Sequence, residues 1–549
     1  MPCPPLRLPF PRWTFVCVLT AACLVSANAS AQRVRRGPYL QIGAPTSMTV
    51  VWRTDVATTG KVEYGTAVGS LSLSATDNKT HTQHEVRLTG LQPGTRYYYR
   101  VGTATAALAG GDAQHFFDTS PATGSATRFR LWVVGDSGTG GSMQKKVRDT
   151  MLTYVGADRP NLYLHMGDMA YSDGKDAEFQ TNFFDIYQNI LRNTVCWPTM
   201  GNHEGHNANS NTQTGPYYDA YALPKAAEAG GLPSGTEAYY SFDHANVHFV
   251  VLNSYDISRK VADPMLTWLK SDLASTKQPW IVAFFHHPPY TKGSHDSDTE
   301  GNLVDMRENA LPILEAGGVD LVLAGHSHVY ERSWLLSGAY ATPSRYDASL
   351  IVDKGDGKLK GTGAYRKPAT AGKGAVYVVA GHGGTGVSSK GKHPLMYFTE
   401  VQNGSCVVDV NGNTLTLVNV RHDGQLTDNF TIVKGSGPVA ADGGVPPQRD
   451  GGGPAREAGG PIGDGAPIAG DGGIPPQRDG SGPLTDGATP AGDGASVGAG
   501  DGGGKAEGCS CQTASPPVPS TGYLLLALAA LGLARSARRR RARAPSLRR

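Results

Sequence analysis

Five short apolar runs in the middle of the chain each end next to a polar residue that can bind a metal ion. The runs occupy residues 129–134, 162–166, 197–200, 280–285 and 319–324. The polar residues that follow them are Asp136, Asp168, Asn202, His286 and His326, four of them directly after a glycine. Short apolar runs of this kind are typical of buried strands, and open α/β sheets carry their sites at the carboxyl ends of the strands. The pattern therefore predicts one site built from five strand ends.

The spacing of the first three runs predicts parallel strands. Asp136 and Asp168 are 32 residues apart, and Asp168 and Asn202 are 34 apart, which leaves room for a helical crossover. Residues 142–155 are the first candidate helix. After His328, an irregular insertion over residues 336–372 precedes a strand at 374–380 and two closing strands at 406–410 and 414–420. These elements predict an α/β domain over residues 126–434, with a two-sheet core flanked by helices.

The front of the chain has a different pattern. Short alternating segments at residues 48–53, 61–64, 84–88 and 91–101 predict an antiparallel β sandwich. Residues 88–99 resemble the turn before a late strand of fibronectin type III-like domains. We therefore expect an all-β domain of this type over residues 32–122. It contains no catalytic cluster, which favours a scaffold role.

The first 31 residues have the pattern of a secretory signal. Arg7 and Arg12 precede an apolar stretch at 13–25, and small residues occupy 27–31. The mature protein is therefore expected to begin near Gln32 and to be exported.

The C-terminal region begins with a change of composition to Gly, Asp, Pro and Ala. Residues 443–454 recur in slightly altered form at 472–483. Such a segment cannot bury apolar surface, so residues 435–520 are predicted to be a disordered linker.

Residues 521–549 are predicted to be an anchor or a sorting segment. Twelve apolar residues at 523–534 precede eight arginines. A helix of that length covers about 18 Å of a hydrocarbon core of about 30 Å, so it spans the membrane only with help from its flanks. The arginines would stay on the cytoplasmic side. A basic helix lying on the membrane surface is the alternative. With Cys509 and Cys511, the tail resembles the C-terminal sorting signal of secreted myxobacterial proteins, which implies attachment to the cell envelope or surface, or processing and release.

The formal net charge of +3 is dominated by the two ends of the chain. The eight tail arginines and the two in the signal have no acidic residues beside them, so the rest of the chain is net acidic. Nothing there calls for nucleic acid as a partner, apart from nucleotides as substrates. Export permits disulfides, and the sequence leaves open whether Cys196 pairs with Cys406. No feature of the sequence predicts the oligomeric state.

The candidate ligands contain oxygen and imidazole donors and no thiolate. Tyr171 and His328 lie close to the strand ends and extend the set. Such donors suit iron, manganese or zinc in a hydrolytic site. Two ions sharing a bridging carboxylate can clamp the attacking and departing oxygens of a phosphoryl transfer. The number of donors is sufficient for two ions.

Taken in order, five segments resemble the conserved blocks of the purple acid phosphatases, within the calcineurin-like metallophosphoesterases. They are Gly-Asp-Ser-Gly at 135–138, Gly-Asp-Met-Ala-Tyr at 167–171, Gly-Asn-His-Glu at 201–204, His-His-Pro-Pro-Tyr at 286–290 and Gly-His-Ser-His-Val-Tyr-Glu-Arg at 325–332. The resemblance extends over residues 36–434. It implies a four-layer α/β/β/α sandwich as the catalytic domain, preceded by the fibronectin type III-like domain.

The resemblance also implies an assignment of ligands to two metal ions. One ion would be held by Asp136, Tyr171 and His328, the other by Asn202, His286 and His326, with Asp168 between them. A phenolate is a costly ligand at neutral pH, so Tyr171 argues for Fe³⁺ and a violet charge-transfer band. The second ion would be Fe²⁺, Zn²⁺ or Mn²⁺. If Tyr171 is instead packed in the core, the site is that of the wider phosphoesterase group.

Two histidines are candidates for proton transfer. In the family, the histidine that matches His203 contacts the substrate phosphate, and the one that matches His295 also contacts the substrate. Many plant members have two consecutive histidines where this chain has His295 and Asp296, which puts the leaving-group proton donor in question. A solvated loop residue is the alternative reading of His295. His287 and His165 are expected to be structural.

The predicted function is that of an acid phosphatase, which hydrolyses phosphate monoesters best at acidic pH, with a metal-bound hydroxide attacking phosphorus in line with the leaving group. Loops at 206–218 and 336–372 would select the substrate, so a phosphodiesterase or nucleotidase is the alternative. A protein of another class, a surface interaction protein with a secondary metal site, is the third hypothesis.

Overall fold

The structure is a computed structural model that describes residues 32–341, 346–368 and 373–436. The predicted signal at 1–31, nearly all of the predicted linker and the whole C-terminal segment lie outside the described residues. Within the described ranges, no helix is long and apolar enough to cross a membrane.

The N-terminal domain is the predicted all-β sandwich. Its strands are β1 (Val34–Gln41), β2 (Ser47–Gly65), β3 (Leu73–Thr89), β4 (Arg96–Gly102), β5 (Ala107–Gly110) and β6 (Phe116–Asp118). All pairings are antiparallel, and β2 pairs with β1, β3 and β4. The prediction of two short strands at 48–53 and 61–64 was wrong. The polar residues between them continue the ladder with β3 through two register shifts, giving one 19-residue strand.

Two mainly buried sheets form the centre of the catalytic domain. In spatial order, the seven-stranded sheet contains β16 (Tyr365–Lys367), β21 (Leu426–Lys434), β20 (Thr414–Arg421), β19 (Gly404–Asn411), β7 (Phe129–Val134), β8 (Leu162–His165) and β9 (Val195–Pro198). The eight-stranded sheet contains β10 (Tyr240–His244), β11 (Val247–Val251), β12 (Trp280–Phe284), β13 (Leu321–Ala324), β17 (Ala375–Ala380), β14 (Tyr330–Leu336) and β15 (Ile351–Asp353), with β18 (Met396–Glu400) also paired to β14.

The five strands that precede the candidate ligands divide between the two sheets. Strands β7, β8 and β9 run parallel in one sheet, and β12 and β13 run parallel in the other. On β12, Val282 and Phe284 face the core between the sheets, whereas Ile281 and Ala283 belong to a second core under the helices. Burial on both faces explains why these strands read as continuous apolar runs rather than alternating ones.

Helices form the outer layers of the four-layer α/β/β/α sandwich, and the described residues contain eight α-helices in all. They are α1 (Ser142–Val155), α2 (Asp176–Glu178), α3 (Asp185–Leu191), α4 (Asn202–Gly205), α5 (Pro216–Ala220), α6 (Pro264–Ser275), α7 (Gly301–Asp305) and α8 (Leu311–Ala316). Helix α1 has the predicted bounds and packs against β19 and β20. Helices α6 and α8 share the second core with β12 and β13. A π-helical turn at Phe179–Phe184 joins α2 to α3.

The described residues show the state of two cysteines and part of the structure of the insertion after His328. Cys196 and Cys406 are both buried and unpaired, and burial raises the pKa of each thiol. The insertion over 336–372 is not wholly irregular as predicted. Where it is described, it contributes β15 to one sheet and β16 to the other.

Candidate metal centre

Tight turns at the strand ends carry three of the candidate ligands. Asp136, Asp168 and His326 have φ values of 56°, 57° and 64°, in the left-handed region. Non-glycine residues in this region cost about 1–3 kcal/mol each and cluster at functional sites. The neighbouring glycines are required by close approach. A Cβ at Gly325 would lie 2.5 Å from Asp136 Oδ2, and one at Gly201 would lie 2.1 Å from Asp168 Oδ1.

The first group of donors surrounds the Tyr171 phenol. Its oxygen lies 3.0 Å from Asp168 Oδ2, 3.4 Å from Asp136 Oδ1 and 3.3 Å from His328 Nε2. His328 Nε2 is 3.6 Å from Asp136 Oδ1. Tyr171 therefore lies among the candidate ligands and not in the apolar core.

The second group of donors converges on the Asn202 side chain. Asn202 Oδ1 lies 2.9 Å from His286 Nε2 and 3.0 Å from His326 Nδ1, and the two imidazole nitrogens are 3.3 Å apart. Asp168 Oδ2 is 3.4 Å from His286 Nε2. One carboxylate oxygen of Asp168 thus faces both groups.

These donors fit two metal ions. Donors bound to one ion at about 2.1 Å lie about 3.0 Å apart in octahedral and about 3.4 Å apart in tetrahedral geometry. The separations in the two groups run from 2.9 to 3.6 Å. Asp136, Asp168 and His286 are essentially buried. Two carboxylates brought together away from water need a cation to compensate their negative charge. The structure brings together all seven residues that the sequence predicts as metal ligands.

The electrostatics of the cluster also favour cations. Burial, and then the charges of Asp168 and Asp136, raise the pKa of Tyr171 well above its usual value. Burial opposes ionisation of Asp168, but the adjacent His286 and its hydrogen bond hold the pKa of that carboxyl well below its usual range. A strong Lewis acid is therefore needed before the phenol of Tyr171 can lose its proton.

Backbone and carboxylate acceptors orient the donor groups. His286 Nδ1 donates to the carbonyl oxygen of Met166 at 2.7 Å, which leaves Nε2 facing the site. Glu204, the residue after His203, is fully buried. Its carboxylate accepts four backbone N–H groups, at 2.7–3.0 Å, from Asp168, Met169, Ala170 and Gly201. It therefore holds the turn that carries Asp168.

The two predicted proton-transfer histidines lie beside the donor groups. His203 Nδ1 donates to the carbonyl of Ser172 at 2.5 Å, and its Nε2 is 3.9 Å from Asp168 Oδ2. The His295 ring packs against the ring of His326, with centroids 3.8 Å apart and planes tilted by 30°. His295 is therefore part of the site's surroundings and not merely a solvated loop residue. Asp296 forms an ion pair with Lys292.

Two other histidines near the site have structural partners. His287 Nδ1 bonds Ser254 Oγ at 2.8 Å, and burial lowers the pKa of His287 well below its usual value. His165 Nε2 bonds Ser137 Oγ at 2.9 Å within the core. These contacts support the structural role expected of both residues.

Sequence reasoning missed Glu300. Its carboxylate accepts hydrogen bonds from His295 Nδ1 at 2.9 Å and His326 Nε2 at 3.3 Å. Burial opposes its ionisation, but the hydrogen bond from His326 and the neighbouring His295 lower the pKa of Glu300 to about 2. Glu300 thus links a candidate ligand to a candidate proton donor. It follows a polar stretch that reads as solvated loop, so no local signal identifies it.

We expect Glu300→Gln to weaken metal binding at the His326 side by about 10- to 100-fold, because the ligand loses the charged acceptor that orients it. Calorimetric titration of Zn²⁺ into the metal-free protein measures this directly. Glu308→Gln, at an exposed carboxylate nearby in sequence, serves as the matched control. Equal affinities for Glu300→Gln and the unaltered protein would contradict the assignment.

Comparison with known proteins adds independent information on the chain. Residues 129–330 match the family model of the calcineurin-like phosphoesterases, and residues 36–119 match that of the purple acid phosphatase N-terminal domain. Purple acid phosphatase 23 of Arabidopsis thaliana is 31% identical over 350 residues, covering 53% of this chain and 73% of that protein. Purple acid phosphatase 15 of the same plant is 32% identical over 277 residues, covering 46% and 49%.

A solved structure supports the fold. Purple acid phosphatase PPD1 from yellow lupin (Lupinus luteus) seeds superposes with a TM-score of 0.54 over 74% of each chain, at 18% identity. At this level of identity, the likeness shows the architecture alone.

Proposed function

Because this chain belongs to the purple acid phosphatase family and is a binuclear metallophosphoesterase that hydrolyses phosphate esters, we propose that it acts on phosphate monoesters at acidic pH. The observation that carries the two-metal mechanism in this proposal is the position of Asp168 Oδ2, 3.0 Å from the phenol of Tyr171 and 3.4 Å from His286 Nε2. A shared oxygen between two groups of donors is what a two-metal hydrolytic site requires.

The residues would divide between the two ions as the donor groups do. Asp136, Tyr171 and His328 would hold one ion, and Asn202, His286 and His326 the other, with Asp168 bridging. When bound, the ions supply Lewis acidity, which neutralises the ester's charge and lowers the pKa of water. The protein side chains fix the positions at which this happens.

His203 is proposed to contact the phosphoryl group and to move a proton at Nε2. A carbonyl oxygen only accepts hydrogen bonds, so the contact with Ser172 keeps a proton on Nδ1 of His203. The exchangeable proton is then on Nε2, near Asp168. This arrangement fixes both the tautomer and the ring orientation, as efficient proton transfer requires.

His295 is proposed to assist the leaving group. Its Nδ1 donates to the carboxylate of Glu300, so Nε2 is the nitrogen that exchanges a proton. Asp296, which is paired with Lys292, does not contribute a second donor here. The proposal therefore assigns this role to a single histidine, where many plant members have two in succession.

The identity of the ions is part of the proposal: Fe³⁺ at the Tyr171 side and Fe²⁺, Zn²⁺ or Mn²⁺ at the other. We expect Tyr171→Phe to abolish the violet absorption band of the native protein completely, because the phenolate donor is removed. Visible spectra and metal analysis of both proteins check this. A colourless, active native enzyme containing only zinc or manganese would refute the ferric assignment.

Substrate class is tested with p-nitrophenyl phosphate and bis(p-nitrophenyl) phosphate across a range of pH. The proposal expects a kcat/KM for the monoester at least about tenfold above that for the diester, with an acidic optimum. Preference for the diester would replace it with the phosphodiesterase alternative. Turnover of neither compound by the metal-loaded protein would refute both.

We also propose that the protein is exported and held at the cell envelope or surface. The signal pattern at residues 1–31 and the apolar, arginine-rich segment at 521–549 support this. N-terminal sequencing of the mature protein tests the first point, with Gln32 as the expected start. Cell fractionation before and after deletion of residues 521–549 tests the second.

A further inference from the structure

We propose that the N-terminal domain positions the catalytic residues through Arg36 and Arg53, which hold residues 176–184, the segment bonded to the loop that carries Tyr171 and orients His203. The inference rests on the function proposed above, because it assigns Tyr171 and His203 to the site. It gives the N-terminal domain a part in catalysis that a passive scaffold would not have.

Arg36, on β1, is fully buried against the catalytic domain. Its Nε donates to Gln180 Oε1 at 2.8 Å, and its Nη2 donates to the Asp176 carbonyl at 3.1 Å and to Asp176 Oδ1 at 2.9 Å. The guanidinium also lies 4.5 Å above the centroid of the Phe184 ring. All of these partners belong to residues 176–184, which include α2 and the π-helical turn.

Arg53, on β2, holds the same carboxylate from a second direction. Its Nη1 donates to both oxygens of Asp176 at 2.8 Å, while its Nε donates to Gln83 of β3. Asp176 is therefore clamped by two arginines of the N-terminal domain. Each of the two guanidinium groups makes several hydrogen bonds, so its orientation is fixed. The contact is therefore more specific than an ordinary surface ion pair.

The clamped segment is bonded in turn to the loop of the metal site. Glu178 accepts the N–H groups of Ser172 at 2.9 Å and Asp173 at 3.0 Å. Asn182 Nδ2 donates to the carbonyl of Tyr171 at 3.0 Å. The carbonyl of Ser172 is the acceptor that orients His203. Hydrogen bonds on both sides of the helical backbone at 176–182 thus join the N-terminal domain to Tyr171 and His203.

Local structure alone would not hold this segment in place. Helix α2 has three residues and continues directly into a π-helical turn. With α3 it forms one helical stretch over residues 176–191. Most helical stability in proteins comes from tertiary packing, and π-helical turns are rare and frequently lie at functional sites. The position of the segment must therefore come from tertiary contacts, and burial of the charged Arg36 is tolerated because its partners lie on this segment.

The test combines three substitutions with two kinds of measurement. With p-nitrophenyl phosphate, we expect Arg53→Gln to lower kcat about threefold and Arg36→Gln about tenfold, because a small displacement of catalytic groups is costly. Arg53→Lys retains the charge but lacks the fork that bonds both Asp176 and Gln83, so its kcat should fall between those of Arg53→Gln and the unaltered protein. Amide hydrogen exchange over residues 171–184 should be faster in both glutamine variants, and unchanged in β7 and β12.

Arg96→Gln is the matched control. Arg96 also forms a bidentate pair, with Asp118, and its guanidinium lies 4.0 Å above the Phe116 ring, but all three residues lie within the N-terminal domain. The kcat of Arg96→Gln and its amide hydrogen exchange over residues 171–184 should not differ from those of the unaltered protein. An equal effect of Arg96→Gln would reveal general destabilisation and overturn the proposal.

A double-mutant comparison separates positioning from stability. If Arg53 acts by positioning His203, replacing Arg53 with glutamine should lower kcat less when His203 is already asparagine than it does in the unaltered protein. Full additivity, or unchanged kcat and exchange in Arg53→Gln, would refute the inference even if Arg36→Gln fails to fold. An unaltered protein without phosphatase activity would instead refute the proposed function, and hydrogen exchange would still test the clamp.

Discussion

Replacement of Asp168 by asparagine is expected to lower kcat by at least about 1,000-fold and to reduce the bound metal from two ions to one or none. The amide can present an oxygen to one donor group, but it loses the charge that two cations share. Asparagine also tolerates the left-handed backbone conformation of this position better than most residues do, so folding should be preserved. Elemental analysis and steady-state kinetics measure the two effects.

Asp423→Asn provides the control for this substitution. Asp423 is paired with Arg421 at the turn between β20 and β21, so the same chemical change is made at a surface ion pair. Its activity and metal content should remain within about twofold of the unaltered protein. Two tightly bound ions and substantial activity in Asp168→Asn would disprove the bridging role.

Replacement of His203 by asparagine is expected to lower kcat for p-nitrophenyl phosphate by about 100-fold, the usual range for loss of a proton-transferring group. Both metal ions should remain bound, because His203 lies beside the donor groups without belonging to either. This separation of activity from metal content distinguishes His203 from the seven candidate ligands. Kinetics across a range of pH and metal analysis on the same sample provide the measurement.

His206→Asn is the appropriate comparison for His203→Asn. The His206 ring is 5.3 Å from the His203 ring, and its side chain is 44% exposed, beside Asp173. Because His206 contacts none of the candidate ligands in the described structure, the kcat of His206→Asn should stay within about twofold of that of the unaltered protein. Similar losses in the two variants would remove the special role assigned to His203.

Much of the fold could be predicted because its signals are local. Strands buried on both faces produce continuous apolar runs, and the turns that end them need glycine where two backbones approach closely. Gly201 and Gly325 are such positions, each within 3 Å of an aspartate oxygen if given a Cβ. The length of β2 could not be predicted, because polar residues inside it are held in the sheet only by pairing with β3.

The supporting residues of the site were harder to predict. Glu300 lies 26 residues before His326 and reads as part of a polar loop, yet its carboxylate reaches both His326 and His295. The clamp on Asp176 is more remote, since Arg36 is 140 residues away in the chain. No periodicity or turn signal connects residues at such separations.

The sequence by itself determined which residues are candidate ligands, their order along the chain and the turns that carry them. These properties depend on a few neighbouring residues: apolar side chains that form a buried strand, a glycine, and then a donor. Only the tertiary structure decided which oxygen of Asp168 faces both donor groups and that Glu300 contacts His295 and His326. It also decided that two arginines of the N-terminal domain hold residues 176–184, next to the Tyr171 loop. Those outcomes depend on how the two sheets and the two domains pack, and packing brings together groups that have no local relationship in sequence.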